Sequence, residues 1–153
     1  GIADMVGNTW EWVDGMKLVG GAIYMPADNY YSLAEASWPV TGVKVDSTAA
    51  SSGNPKISDA IINADTAMYI AAWKSVTTKL AYTPPNSMYQ ACIAPHDATN
   101  PKGAMWADGT GERLPIRGGS WFNGSSAGLF ALNLNNVRSY ADTLIGFRPA
   151  FLG

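Results

Sequence analysis

A chain of 153 residues is long enough for one domain with its own core and too short for two comfortable ones. A formal charge of -2 removes the electrostatic case for a nucleic acid or an anionic membrane as partner, and no apolar run approaches the roughly 18–20 residues of a helical membrane span. Six Trp, seven Tyr and four Phe among few charged residues imply an aromatic-rich core or an adhesive surface, while 16 Gly and 9 Pro imply many turns.

The opening stretch, GIADMVGNTWEWVDG, starts without a methionine and reads like the middle of a domain, so an N-terminal part of the fold is expected to lie outside this chain. Residues 8–13 alternate, with Trp10 and Trp12 on one face of a short strand. A hairpin follows, with residues 17–19 and 22–25 as its strands around Gly20 and Gly21. Residues 26–65 are rich in Ser, Pro, Asn, Asp and Gly and read as an exposed insertion, punctuated by apolar Val43, Val45 and Ile57. Met68, Ala71, Ala72 and Val76 recur near helical spacing behind Asp65, a residue suited to an N-cap, which predicts a helix over 65–82; the Val76, Thr77, Thr78 run would equally suit a strand. Prolines 84 and 85 stop that element, and 94–115 reads as loop.

In LFALNLN, residues 129–135, Phe130, Leu132 and Leu134 alternate with Ala131, Asn133 and Asn135, which predicts a strand with one core face and one wet face. Residues 145–151 are a second strand candidate with Ile145 and Phe147 inward, and the intervening 135–143 are rich in turn formers. Cys92 has no partner for an internal disulfide and reads as a packed small apolar residue. His96 is the single histidine, which leaves histidine metal sites and Ser-His-Asp triads without parts.

Three short motifs carry a resemblance. GNTWEW near the start, then RGGSW and GFR near the end, resemble in identity and order the signature of the formylglycine-generating-enzyme branch of the C-type-lectin fold. The match brackets residues 7–148, although the span between the brackets is much longer than that branch needs. Within the branch, residues 107–139 followed by IGFRPAF are similar to the variable region of diversity-generating retroelement proteins. The resemblance implies an α+β C-type-lectin domain over 1–153, with a loop-rich insertion at about 26–110 and a variable region at 117–148. In such proteins, adenines of a template copy are mutated during reverse transcription and the product overwrites this segment. Arg117, Gly118, Gly119, Trp121, Gly146, Phe147 and Arg148 would then be scaffold. Ser120, Phe122, Asn123, Ser125, Ser126, Ala131, Asn133, Asn135, Asn136, Tyr140, Asp142, Thr143 and Leu144 would form a diversified ligand-binding face.

The genetic code offers a check. An Asn codon randomised at its two adenines reaches Phe, Tyr, Leu, Asp, Ser, Thr or Ala, but never Lys, Glu, Gln, Met or Trp. From Gly118 to Phe147 the chain holds no Lys, Glu, Gln or Met, and its one Trp there is Trp121, a motif position. Phe122, Tyr140 and Leu144 are the apolar or amphipathic members of the set, the kind that dominate recognition loops; their other reading is completion of the core.

The resemblance implies noncovalent binding of a protein or glycan ligand at a phage tail tip or a bacterial or archaeal cell surface, without nucleic acid or membrane insertion. A homo-oligomer, or an N-terminal segment missing from this chain, is also expected. Competing readings are a catalytically inactive or divergent formylglycine-generating-enzyme-like domain and a carbohydrate-binding lectin. Oxidase chemistry in that branch uses cysteines shortly after the RGGSW equivalent, and residues 122–133 contain none. No cofactor is expected. In calcium-binding relatives the positions matching Asp4, Gly7, Thr9 and Glu11 supply oxygen ligands; the other reading makes Asp4 a turn residue and pairs Glu11 with Arg117 or Arg148.

Overall fold

The computed structural model describes residues 7–51, 53–63, 67–94 and 103–147. Its strands are β1 (Trp10–Trp12), β2 (Lys17–Val19), β3 (Ala22–Tyr24), β4 (Val40–Ser47), β5 (Pro55–Ser58), β6 (Ala67–Ala72), β7 (Thr77–Thr78), β8 (Ala104–Asp108), β9 (Glu112–Gly118), β10 (Gly128–Asn136) and β11 (Ile145–Phe147). They join in the order β6-β8-β10-β9-β2-β3-β4-β5-β7, with β1 attached to β9 and β11 attached to β1. The only α-helix among the described residues is α1 (Asn86–Gln90), one turn that buries Met88. The protein is therefore β-rich, and the α+β expectation is corrected. No helix among the described residues is long and apolar enough to cross a membrane.

The predicted hairpin forms as β2 and β3, paired Leu18 with Ile23. Gly20 and Gly21 both take positive φ, 53° and 80°, the conformation that a two-residue turn between right-twisted strands requires. The strand expected at 8–13 is present as the shorter β1.

Residues 26–65 depart most from their polar composition. Eight of them form β4, whose Val43 and Val45 are buried, and β5 beside it buries Ile57. Their polarity serves the turns between strands and three buried polar residues, Asp46, Ser47 and Ser58. Asp46 is fully buried on β4, where its carboxylate accepts the backbone N–H groups of Ile62 at 3.2 Å and Asn63 at 2.9 Å and pairs with Lys56 at 3.3 Å. Burial alone would raise this carboxyl; the N–H groups of Asn63, Ile62 and Ser47, with Lys56, outweigh it and hold it below the usual carboxylate range.

The helix expected over 65–82 is β6, a single 3-10 turn at Trp73–Ser75, and β7; its first residues lie outside the described ones. The misleading spacing has a local cause. Against β8, Met68 pairs with Ala107 and Ala71 with Met105, so three steps on β6 face two on its partner. That bulge turns both Met68 and Ala71 inward and imitates the i, i+3 spacing of a helix. Residues 94–115, expected to be loop, likewise contain β8 and the start of β9.

Although β6 and β5 are far apart in strand order, Met68 forms a bridge to Gly53 beside β5, so the sheet curls back on itself. The main core lies inside the curl: Leu18, Ile23, Val45, Ile57 and Met105 meet Leu132 and Leu134 there. A smaller cluster of Trp10, Ile116 and Ala131, flanked by Trp12, Trp106 and Ile145, packs separately around β1, β9 and β10. Trp10 meets Trp106 edge to face at 5.1 Å between ring centroids.

Candidate functional site

β9 is the strand on which the candidate face is built. Its first residues pair with β2, its last with β1, and its other edge carries β10. Arg117 near its end donates to the Ala91 carbonyl at 2.6 Å, and burial pushes its guanidinium below the usual range. The chain then reverses between Gly118 and Gly128, which pair with each other. Gly119 lies at φ 81°, and a Cβ there would stand 2.7 Å from the Ala127 Cβ, so glycine is what lets the two arms of this reversal approach.

The reversal aims two aromatic rings outward. Asn123 N–H donates to the Ser120 carbonyl at 3.0 Å, while the Asn123 side-chain oxygen accepts from both the Ser120 N–H and hydroxyl at 2.7 Å. This closed turn leaves Trp121 and Phe122 at its tip, 71% and 58% exposed, with rings edge to face at 5.7 Å. Ser120 itself is buried. Ser120 and Asn123, read from the sequence as contact positions, thus build the turn, and Trp121, read as scaffold, is its most exposed side chain. A Ser-x-x-Asn turn signature was the available signal for this arrangement.

β10 corrects the alternation expected for it. Gly128 pairs with Gly118 but Leu132 pairs with Arg117, so residues 129–131 bulge away from β9. Leu129 and Phe130 are pushed into solvent, although the Phe130 carbonyl is held at 2.5 Å by the Trp73 indole N–H. Phe130 was expected inward and is 47% exposed. Ala131, expected on the wet face, is fully buried in the cluster of Trp10 and Ile116. Leu132 and Leu134 are buried as expected, Asn135 is exposed, and Asn133 is half-buried with its side-chain oxygen accepting the Asn135 N–H at 2.9 Å. Asn136 is buried, with no partner on its side-chain nitrogen among the described residues. Ala131 and Asn136 therefore do not belong to a surface of the folded protein.

At the far end of the segment, Asp142 caps a second turn by accepting the Leu144 N–H at 2.8 Å and the Tyr140 hydroxyl at 3.2 Å. The Asp142 charge raises the Tyr140 phenol above its ordinary value. Tyr140 and Thr143 are exposed, Leu144 is half-buried, and Ser125 is more open than Ser126. The two turns meet at one place: Trp121 N–H donates to the Asn8 carbonyl at 3.3 Å, and the Trp10 N–H donates to the Leu144 carbonyl at 2.8 Å. Residues 8–10 thus tie both ends of the segment together. Phe147, expected inward as scaffold, is 76% exposed, because among the described residues β11 is an edge strand paired to β1 alone.

Of the positions considered for calcium, Asp4 lies outside the described residues. Gly7 and Thr9 precede β1, and Glu11 stands across from Arg117 on β9 and Gly146 on β11. No group of three or more His, Cys, Asp or Glu among the described residues could hold a metal ion. Arg148 and His96 also lie outside them. Cys92 is half-buried at φ 52° rather than packed in the core, since it sits in the irregular chain after α1. A comparison with family models finds no match, and no curated protein matches the sequence.

Proposed function

We propose that this protein is a noncatalytic ligand-binding domain of the C-type-lectin fold, displaying a surface diversified by a retroelement. One observation carries the reading: Trp121 and Phe122 project at the tip of a turn whose closing bonds are made by Ser120 and Asn123. Large apolar side chains held in solvent by a rigid turn suit an adhesive surface, because their ordering entropy is already spent before a partner arrives. Leu129, Phe130, Val137 and Tyr140 add exposed apolar area along the same segment. The contact set is then Trp121, Phe122, Ser125, Leu129, Phe130, Asn135, Tyr140 and Thr143, with Asp142, Asn123 and Ser120 as turn builders.

The partner in this reading is a protein or glycan on a cell surface, met from a phage tail tip or from a bacterial or archaeal surface. The missing cysteines in 122–133 favour binding over the oxidase chemistry of the same branch. The decisive experiment is sequencing of the neighbouring DNA. A reverse transcriptase gene and a near-copy of the 117–148 coding stretch, differing only at adenines, are expected; a complete locus lacking both would overturn the retroelement reading.

A further inference from the structure

A cleft of about 650 Å³ lies where the 3-10 turn Ala27–Asn29, the start of β4 and α1 meet. Among the described residues, none that lines it belongs to the 117–148 segment. We propose that this cleft binds a small organic monocation, an alkyl- or arylammonium whose charged head meets Asp28 and Tyr31 and whose apolar body covers Met25 and Met88.

Charge selects the head group. Asp28 is the only charged residue among the described residues of the lining, and no hydrogen bond or ion pair among them engages its carboxylate. Arg117 comes up behind one wall, where it donates to the Ala91 carbonyl at 2.6 Å, and stays out of the lining. An anion would therefore meet an uncompensated carboxylate, and a neutral ligand would cover that charge without pairing it. A cation gains from both its charge and its hydrogen bonds. Tyr31 adds a ring to the same side. A Cβ at Gly15 would stand 2.7 Å from that ring, so the ring rests on glycine backbone, yet Tyr31 is still 52% exposed and can meet a cation with its face. Asp14, whose Oδ1 takes the Gly15 N–H at 2.7 Å, adds a second negative charge near it.

The floor selects the body. Met88 is buried in the main core and Met25 packs against the same core, so the bottom of the cleft is an apolar edge of that core. Thioether side chains are flexible and polarisable, and they mould themselves to alkyl and aryl groups. Pro26, Pro39 and Pro85 extend this surface without presenting an N–H. The Thr41 hydroxyl is already engaged, donating to the Ile23 carbonyl at 3.0 Å and accepting the Val43 N–H at 3.1 Å. The volume falls within the roughly 300–1,000 Å³ of small-molecule sites.

The test is a titration followed by two-dimensional NMR of the methionine methyl groups. Phenethylammonium chloride, 2-phenylethanol and sodium 3-phenylpropionate serve as probes that share one aryl body and differ in the charge of the head. The cation is expected to shift the Met25 and Met88 signals in the millimolar range and to bind about tenfold more tightly than the alcohol, with the anion weaker still. Asparagine accepts the φ of 52° at position 28 as aspartate does, so Asp28→Asn removes the charge and keeps the turn. In that variant the advantage of the cation over the alcohol should fall to about threefold or less. Trp121→Ala, on the turn of the diversified face, should leave all three affinities unchanged, so that failure of that face and failure of this cleft are told apart. The proposal is overturned if phenethylammonium shifts neither methionine, if the alcohol or the anion binds as tightly, if the advantage persists undiminished in Asp28→Asn, or if Trp121→Ala weakens the binding.

Discussion

Replacing Asp46 by Ala tests whether the polar stretch 26–65 is part of the core or an excursion from it. Asp46 is fully buried, and its carboxylate holds the Ile62 and Asn63 N–H groups and Lys56, thereby fastening the chain beyond β5 back onto β4. A hydrogen bond to a charged group contributes about 1.5–3 kcal/mol. Ile62 is well exposed and its freed N–H can find water, and the Lys56 side chain reaches solvent, so both contributions are discounted. The expected loss is about 2–4 kcal/mol, most of it from the Asn63 bond and the vacated volume. Asp46→Asn, which keeps the size and one acceptor, should lose about half as much.

The pH dependence gives a second readout of the same site. Because folding depresses the Asp46 pKa, its contribution is complete above the ordinary Asp value and disappears as pH falls through the folded one. The gap between parent and Asp46→Ala in urea melts should be constant from about pH 7 to 5 and shrink below about pH 4. Glu35 and Asp108 are depressed as well, so the parent weakens over this range for other reasons and the difference between proteins is the quantity to follow. Equal urea midpoints at pH 7, or a gap that persists undiminished to pH 3, would refute the role assigned to Asp46.

Leu132→Ala, at a fully buried site, should cost about 2–5 kcal/mol in denaturant melts, whereas Asn135→Tyr on the exposed side should change stability by no more than about 0.5 kcal/mol; equal losses would mean that the faces of β10 are misassigned. Gly119→Ala should destabilise by about 1–3 kcal/mol, since it combines a φ of 81° with a 2.7 Å approach to Ala127, and a thermal melt matching the parent would contradict that crowding. Trp121→Ala and Phe122→Ala should leave the melt almost unchanged yet weaken binding to a ligand panned from host surface extracts by about 1–3 kcal/mol, measured by calorimetry; undiminished affinity in both would remove the turn tip from the contact surface.

Local chemistry was enough to read several elements from the sequence. Two glycines between short apolar runs specify the β2–β3 hairpin, because few other residues accept the required φ. Alternation identified Leu132 and Leu134 as core. The tertiary structure decided what depends on partners distant in sequence. A bulge is created by the strand opposite, so neither the inward turn of Met68 and Ala71 nor the outward turn of Phe130 is encoded in the period of its own strand. Polar composition could not reveal that β4 lies in the sheet, since Asp46 becomes a core residue only once Ile62, Asn63 and Lys56 surround it. The surface followed the same logic: Trp121 and Phe147 look like core by type, and they are exposed because, among the described residues, a closed turn and a sheet edge leave nothing to cover them.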